Sequence, residues 1–103
     1  MVKHIILWQL KDEFSVEEKE NIKLGIKNGL EGVAGKIPGL MDICVQTKGL
    51  ASSNADVMLD STFENEDALK AYAVHPEHVK VADENVRPFT KSRSCMDFEI
   101  LLM

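Results

Sequence analysis

The three histidines of this chain fall in two short segments that could together form one chemical site. His4 lies in an apolar segment near the start of the chain, and His75 and His78 flank Pro76. Imidazole is the side chain whose ordinary pKa lets it both accept and donate a proton near neutral pH. Tyr72 precedes His75 by three residues and could present its hydroxyl to the same space. This pattern indicates proton transfer or polar contacts to a ligand, without selecting a reaction.

The candidate catalytic residues are Tyr72 and His78. If Pro76 begins a helix, His78 lies in its first turn, where the positive end of the helix lowers the pKa of an imidazole. A neutral imidazole can act as a general base, and a tyrosine hydroxyl can donate a hydrogen bond to a developing oxyanion. Such chemistry needs no cofactor, and we expect none.

Two other interpretations of the same residues stay open. His75 and Pro76 could simply cap and interrupt a helix, with His78 bound to a backbone carbonyl and His4 a satisfied histidine near the end of a sheet. Alternatively, the spacing of His75 and His78 could supply two metal ligands. That spacing is unspecific, so we predict no metal site.

Length and composition predict a single domain over residues 1–103. The net charge is -5 and no basic stripe is present, so neither nucleic acid nor a membrane surface is an expected partner. With no signal-peptide pattern and no long apolar run, we expect a cytoplasmic protein. Cys44 and Cys95 have neither metal-site nor redox-pair spacing, which predicts free thiols.

Hydrophobic periodicity predicts the elements that must position these residues. Strands are predicted over residues 2–10, 40–47, 56–63 and 94–102. Ser15 and Glu18 form a capping box at the start of a helix whose apolar stripe includes Ile22, Ile26, Leu30 and Val33. A second helix is predicted from about Asp67, interrupted at Pro76 and continuing to about Phe89.

This order predicts an α+β, ferredoxin-like βαββαβ fold with a four-stranded antiparallel sheet. Both helices should cover one sheet face, towards which we expect these side chains to point: Ile6, Trp8, Ile43, Val57, Leu59, Phe98 and Ile100. Asp60, Asp97 and Glu99 are expected on the opposite, polar face. Ile5 and Leu7 leave an apolar patch there, which predicts a homodimer through the open sheet face.

We further expect a cavity between sheet and helices that binds a small apolar or aromatic molecule. Its predicted walls are Ile6, Trp8, Ile22, Ile26 and Val57, and its predicted polar contacts are His4, Tyr72, His75 and His78.

Three segments resemble the signatures of the stress-responsive A/B barrel (Dabb) domain family. Residues 2–12 are similar to its opening strand, and residues 72–78 and 96–99 are similar to its other two signatures. The resemblance covers nearly the whole chain. It implies a ferredoxin-like protomer and a homodimer whose two sheets face each other to form a barrel with the helices outside.

The resemblance leaves several functions open, because the family includes stress-induced plant proteins, members without an assigned role and a plant polyketide cyclase. The cyclase resemblance implies a cofactor-free enzyme with catalytic residues at Tyr72 and His78 and further histidines at His4 and His75. This chain has no aromatic residues at Ile22 and Ile26, where the cyclase does, and Val57 replaces a histidine. A ligand-binding dimer, a cyclase-like enzyme and a purely structural, stress-linked dimer are the three hypotheses.

Overall fold

A computed structural model describes residues 1–101 of the chain. Its four strands are β1 (Val2–Leu10), β2 (Leu40–Gln46), β3 (Val57–Phe63) and β4 (Thr90–Glu99). They form one sheet in the order β2-β3-β1-β4, and every neighbouring pair is antiparallel. With the helices between them, this order confirms the predicted α+β, ferredoxin-like fold. The predicted end of the last strand at Leu102 lies outside the described residues.

The first helix, α1 (Val16–Glu31), begins at the predicted capping box. The Glu18 N–H donates to Ser15 Oγ at 3.1 Å, and the Ser15 N–H donates to Glu18 Oε1 at 2.8 Å. These two bonds satisfy backbone donors that the start of a helix leaves free. Val33 lies just beyond the end of the helix but is still buried, so it belongs to the core as predicted.

The second helical region is divided into four short pieces. Helix α2 (Glu66–Val74) is followed by α3 (Pro76–Val81), a π-helical turn (Ala82–Val86) and a 3-10 turn (Arg87–Phe89). The predicted interruption at Pro76 is confirmed, and the second piece runs to Phe89 as predicted, although it is α-helical only as far as Val81. Ala82 and Val86 of the π turn are both buried, and their separation of four residues places them on the same side of the helical region.

The main core lies where α1 packs against β2 and β3. Ile26 and Leu30 of the helix are buried together with Val45 and Leu59 of the strands. A small network of hydrogen bonds, formed by Glu31, Lys27 and the Val45 backbone, also joins α1 to β2. Glu31 accepts from the Val45 N–H at 2.9 Å and from Lys27 Nζ at 2.8 Å, and Lys27 Nζ also donates to the Val45 carbonyl at 2.8 Å.

The register of β4 corrects the predicted direction of its side chains. Asp97 pairs with His4, Cys95 with Ile6 and Arg93 with Trp8. Paired residues point to the same sheet face, so these three residues of β4 face the helices.

Phe98 therefore lies on the opposite face, where it is 41% exposed, and Met96 beside it is 67% exposed. The prediction that Phe98 points at the helices is wrong, and Ile100 lies beyond the end of the strand. Alternation distinguishes the two faces of a strand, but it does not say which of them the helices cover.

The sheet face away from the helices, called the open face below, carries apolar and polar residues together. Ile5, Leu7, Met58, Met96 and Phe98 form its apolar part. On the same face, Lys3 Nζ donates to Asp60 Oδ1 at 2.8 Å. The register places Asp97 and Glu99 on the helix side instead, so the prediction that both share a polar face with Asp60 is wrong.

Candidate functional site

A cavity of about 680 Å³ lies between the β1–β4 pair and the divided helical region. Its apolar wall includes Ile6, Trp8, Leu69, Ala82 and Val86, and its polar wall includes His4, Tyr72, His78, Arg93, Cys95 and Asp97. Sites for small molecules commonly have this size and this mixture of apolar walls with a few polar groups.

The break between α2 and α3 determines which helical residues line the cavity on the side opposite the sheet. His75 has extended backbone angles of φ -67° and ψ 133°, and Pro76 then begins α3. Since proline lacks an N–H and restricts the residue before it, the helix cannot continue through this point. The chain instead changes direction, and Tyr72 before the break and His78 after it both reach the cavity wall.

Tyr72 is the most enclosed of the polar residues, with 1% of its surface exposed. Its ring packs edge-on against Phe63, with 4.9 Å between centroids, and lies 4.1 Å from the ring of His78. Its hydroxyl has no hydrogen-bond partner among residues 1–101. Burial raises the pKa of Tyr72 to about 12, so the group stays protonated and can donate a hydrogen bond.

His78 is held as a neutral imidazole with one nitrogen free. Its Nδ1 lies 3.3 Å from the Ala73 carbonyl, to which an Nδ1–H donates, and this leaves Nε2 with a lone pair. Burial lowers the pKa of His78, the bond to the Ala73 carbonyl opposes this shift, and the nearby charges of Arg87 and Arg93 add to it. The direction agrees with the prediction, although burial, rather than the helix end, is the main cause. His78 therefore has the protonation state of a general base at neutral pH.

His4 meets two residues of β4 on the cavity wall. Its Nδ1 is hydrogen-bonded to Asp97 Oδ1, and the Cys95 Sγ lies 3.8 Å from the same nitrogen. Burial and the adjacent Asp97 carboxylate raise the pKa of the Cys95 thiol. The sequence-based prediction left Cys95 and Asp97 out of the site because it assigned them to the opposite sheet face. It left out Arg93 because it began the strand at residue 94, whereas β4 begins at Thr90.

Four residues that were predicted to contact a ligand do not line this cavity: Ile22, Ile26, Val57 and His75. His75 caps α3, since its Nδ1 accepts a hydrogen bond from the Glu77 N–H at 3.1 Å. Ile26 and Val57 are buried in the core, and Ile22 is half-buried against it. Of the predicted contacts, His4, Ile6 and Trp8 do line the cavity, together with Tyr72 and His78.

Comparison with known proteins agrees with the fold and the signatures. The sequence profile of the stress-responsive A/B barrel domain matches residues 2–100. The chain belongs to this family. A search of curated proteins found no significant match to this A/B barrel protein. No helix among residues 1–101 is long and apolar enough to cross a membrane.

Solved structures resemble this A/B barrel protein over nearly its whole length. A dimeric, ferredoxin-like protein of unknown function from Bacteroides fragilis is 35% identical, with a TM-score of 0.89 over 96% of this chain and 95% of that one. An Arabidopsis thaliana protein is 23% identical, with a TM-score of 0.74 over 100% and 98% of the two chains. A dimeric ferredoxin-like protein from Thermobifida fusca is 23% identical, with a TM-score of 0.76 over 96% and 90%.

Proposed function

We propose that this A/B barrel protein is a homodimer that binds a small apolar or aromatic molecule in the cavity of each protomer. The cavity itself carries the proposal, because His4, Trp8, Tyr72 and His78 converge on one space of about 680 Å³. Side chains do not fill this space, as a purely structural dimer would require. The physiological role of the ligand stays unassigned.

The wall chemistry defines the class of ligand. Trp8, Leu69 and Val86 offer apolar and aromatic surface, which suits an aromatic ring or an acyl chain. His78 Nε2 can accept a hydrogen bond from a ligand hydroxyl, whereas the Tyr72 hydroxyl can donate one. An unpaired buried hydroxyl costs about 1–3 kcal/mol, so a ligand oxygen that reaches Tyr72 after a small side-chain movement would recover part of that cost.

A binding screen tests this proposal. Native mass spectrometry with a broad library of small aromatic and acyl compounds should give one-to-one complexes per protomer. His78→Ala should weaken a hit by about tenfold, equivalent to about 1.4 kcal/mol. His75→Ala is the matched control, since His75 caps α3 outside the cavity, and it should leave the affinity unchanged. No hit, or equal losses in both variants, would contradict the proposal.

The dimer part of the proposal rests on the open face. Leu7, Met96 and Phe98 are large apolar residues that stay exposed there in a single protomer. The relatives from Bacteroides fragilis and Thermobifida fusca are described as dimeric. A stable interface typically buries about 800 Å² on each partner, and one face of a four-stranded sheet can supply that area.

A pair of matched substitutions tests the interface. Phe98→Asp should convert the dimer to a monomer in size-exclusion chromatography with light scattering, because it buries a charge in the apolar interface. Leu24→Asp changes an exposed apolar residue on α1, away from the sheet, and should leave the dimer intact. A Phe98→Asp protein that remains dimeric would exclude this face as the interface.

A second candidate function is cofactor-free proton abstraction, as in a polyketide cyclase. It is favoured by the Tyr72–His78 pair, in which a free imidazole nitrogen and a protonated hydroxyl line one cavity. His78 Nε2 would take a proton from the carbon next to a carbonyl, and the Tyr72 hydroxyl would donate to the enolate oxygen that forms. The enolate carbon would then attack a second carbonyl of the same substrate, and the alkoxide formed as that C=O π bond breaks would take the proton back from His78.

Deuterium exchange distinguishes this candidate from binding alone. The protein should accelerate exchange at the acidic carbon of a β-diketone probe in D₂O, followed by NMR. His78→Ala should abolish the acceleration, and Tyr72→Phe should reduce it while probe binding is retained. Binding without any accelerated exchange in the unmodified protein would leave the ligand-binding function and exclude the enzymatic one.

A further inference from the structure

A second group of polar side chains lies on the cavity wall, apart from the Tyr72–His78 pair. His4 on β1 stands directly opposite Asp97 on β4, and Cys95 lies two residues before Asp97 on the same strand face. One imidazole nitrogen, one thiol sulfur and one carboxylate oxygen lie within 4.8 Å of one another. These are the three donor types that bind zinc in proteins.

The donor spacing suits a tetrahedral ion. With bond lengths of 2.0–2.3 Å, two donors of a tetrahedral zinc site lie about 3.3–3.8 Å apart. The Cys95 Sγ is 3.8 Å from His4 Nδ1 and 3.5 Å from Asp97 Oδ1. His4 and Asp97 are closer because they share a hydrogen bond. As an ion binds Nδ1, the proton of the neutral ring would be taken up at Nε2 through solvent, and the two groups would separate slightly.

We propose that His4, Cys95 and Asp97 form a binding site for a divalent cation of the zinc class, with ligand atoms Nδ1, Sγ and Oδ1. A soft sulfur with an imidazole selects zinc, cobalt or iron(II) over magnesium or calcium, which prefer oxygen donors. The site uses residues of two paired strands. It is therefore independent of the His75–His78 spacing, on which the predicted absence of a metal rested.

The backbone holds all three ligands on one sheet face. Cys95 and Asp97 point to that face because they are two residues apart on a strand, and the β1–β4 register places His4 directly opposite Asp97 and one pair along from Cys95. His4 is 6% exposed, whereas 43% of the Asp97 side chain is exposed, so an ion can enter from the β4 edge.

The charge of the site favours a cation, and its open side faces the cavity. The Asp97 carboxylate and a Cys95 thiolate together balance a divalent ion, which offsets repulsion from Arg93 on the same face of β4. The thiol proton leaves to solvent as the ion binds. Three protein ligands leave a fourth position for water or for a ligand atom in the cavity, which all three residues line.

A cobalt titration of the untagged, chelator-treated full chain tests this site. Co²⁺ should bind with one ion per protomer and produce the near-ultraviolet absorption of a thiolate–cobalt bond, and Zn²⁺ should displace it. Cys95→Ser should abolish this absorption and weaken Zn²⁺ binding at least tenfold. Cys44→Ser is the matched control, because Cys44 is the other free cysteine and lies on the open face of β2; it should retain both.

Asp97→Asn adds an independent readout, since it keeps the thiol but removes the carboxylate charge. It should retain the thiolate absorption and weaken Co²⁺ binding at least tenfold, with circular dichroism confirming that the fold is intact. The proposal would be overturned if unmodified protein shows no thiolate–cobalt absorption. It would also be overturned if the absorption survives Cys95→Ser or if Asp97→Asn leaves the affinity unchanged.

Discussion

The space between sheet and helices has a packed half and a hollow half. In the packed half, α1 covers β2 and β3, and side chains such as Ile26 and Val45 are fully buried. In the hollow half, the divided region from α2 to the 3-10 turn faces β1 and β4 across a cavity, which residues of all three line. We therefore expect truncations in the packed half to cost more stability, and the hollow half leaves room for a ligand.

The difference follows from the residues that each half presents. The helix-facing residues of β2 and β3 include Ile43, Val45 and Leu59, which pack against one uninterrupted helix. The helix-facing residues of β4 include Arg93 and Asp97, whose charged groups cannot be buried without partners.

The largest expected effect comes from matched truncations in the two halves. Ile26→Ala should lower the free energy of unfolding by about 3 kcal/mol, because it opens a void in a packed core. Leu69→Ala, at the wall of the existing cavity, should cost less than about 2 kcal/mol, since fewer contacts are lost there. Urea unfolding of both variants measures the difference. Equal losses would show that the two halves are packed alike.

An intermediate loss of stability should follow from weakening the hydrogen bonds of Glu31, which join α1 to β2 in the packed half. Glu31→Gln should cost about 1–2 kcal/mol, because it weakens charge-assisted bonds to Lys27 and to the Val45 N–H. These two partners lower the pKa of Glu31 from its ordinary value of 4.5. A lowered carboxyl pKa adds stability above pH 4.5 that is lost as the pH falls through the folded-state value.

The pH dependence of unfolding measures this contribution. Glu31→Gln should lower the free energy of unfolding at neutral pH, flatten its pH dependence below pH 4.5 and leave the slope above pH 6 unchanged. If the pH dependence of unfolding below pH 4.5 is the same in both proteins, the hydrogen bonds of Glu31 do not stabilise the contact between α1 and β2.

The smallest expected effect belongs to His78 in the hollow half. Burial, Arg87, Arg93 and His4 lower its pKa from 6.5, while its bond to the Ala73 carbonyl opposes that shift. The contribution to stability is therefore present above pH 6.5 and is lost as the pH falls through the folded-state value. In urea unfolding, His78→Asn should flatten the pH dependence of the free energy of unfolding below pH 6.5 and leave the dependence at higher pH unchanged. If the slope between pH 6.5 and 5 is the same in both proteins, the side chain is not shielded as described.

The packed half could be predicted from the sequence more fully than the hollow half. The capping box of Ser15 and Glu18 and the stripe of Ile26 and Leu30 are local signals, and each appears where the pattern placed it. The break at Pro76 is equally local, because proline alone determines it.

Apart from the break at Pro76, the hollow half depends on contacts between distant segments that no local pattern contains. Phe98 was predicted to face the helices because it is apolar, but the register of β4 places it on the open face. The same error removed Cys95 and Asp97 from the predicted site. Nothing in the residue types of the π turn at residues 82–86 distinguishes it from an α-helix, so the sequence indicated an ordinary helix there.

Mapping a ligand by NMR tests the two-halves account most directly. We expect the best binder from the compound screen to shift the backbone amide signals of β1, β4 and the α2–α3 region, and to leave those of β2 and the middle of α1 unchanged. Tyr72 and His78 should be among the most affected residues. Shifts centred on β2 and α1, with β4 and His78 unaffected, would place the ligand in the half described as packed and would contradict the account.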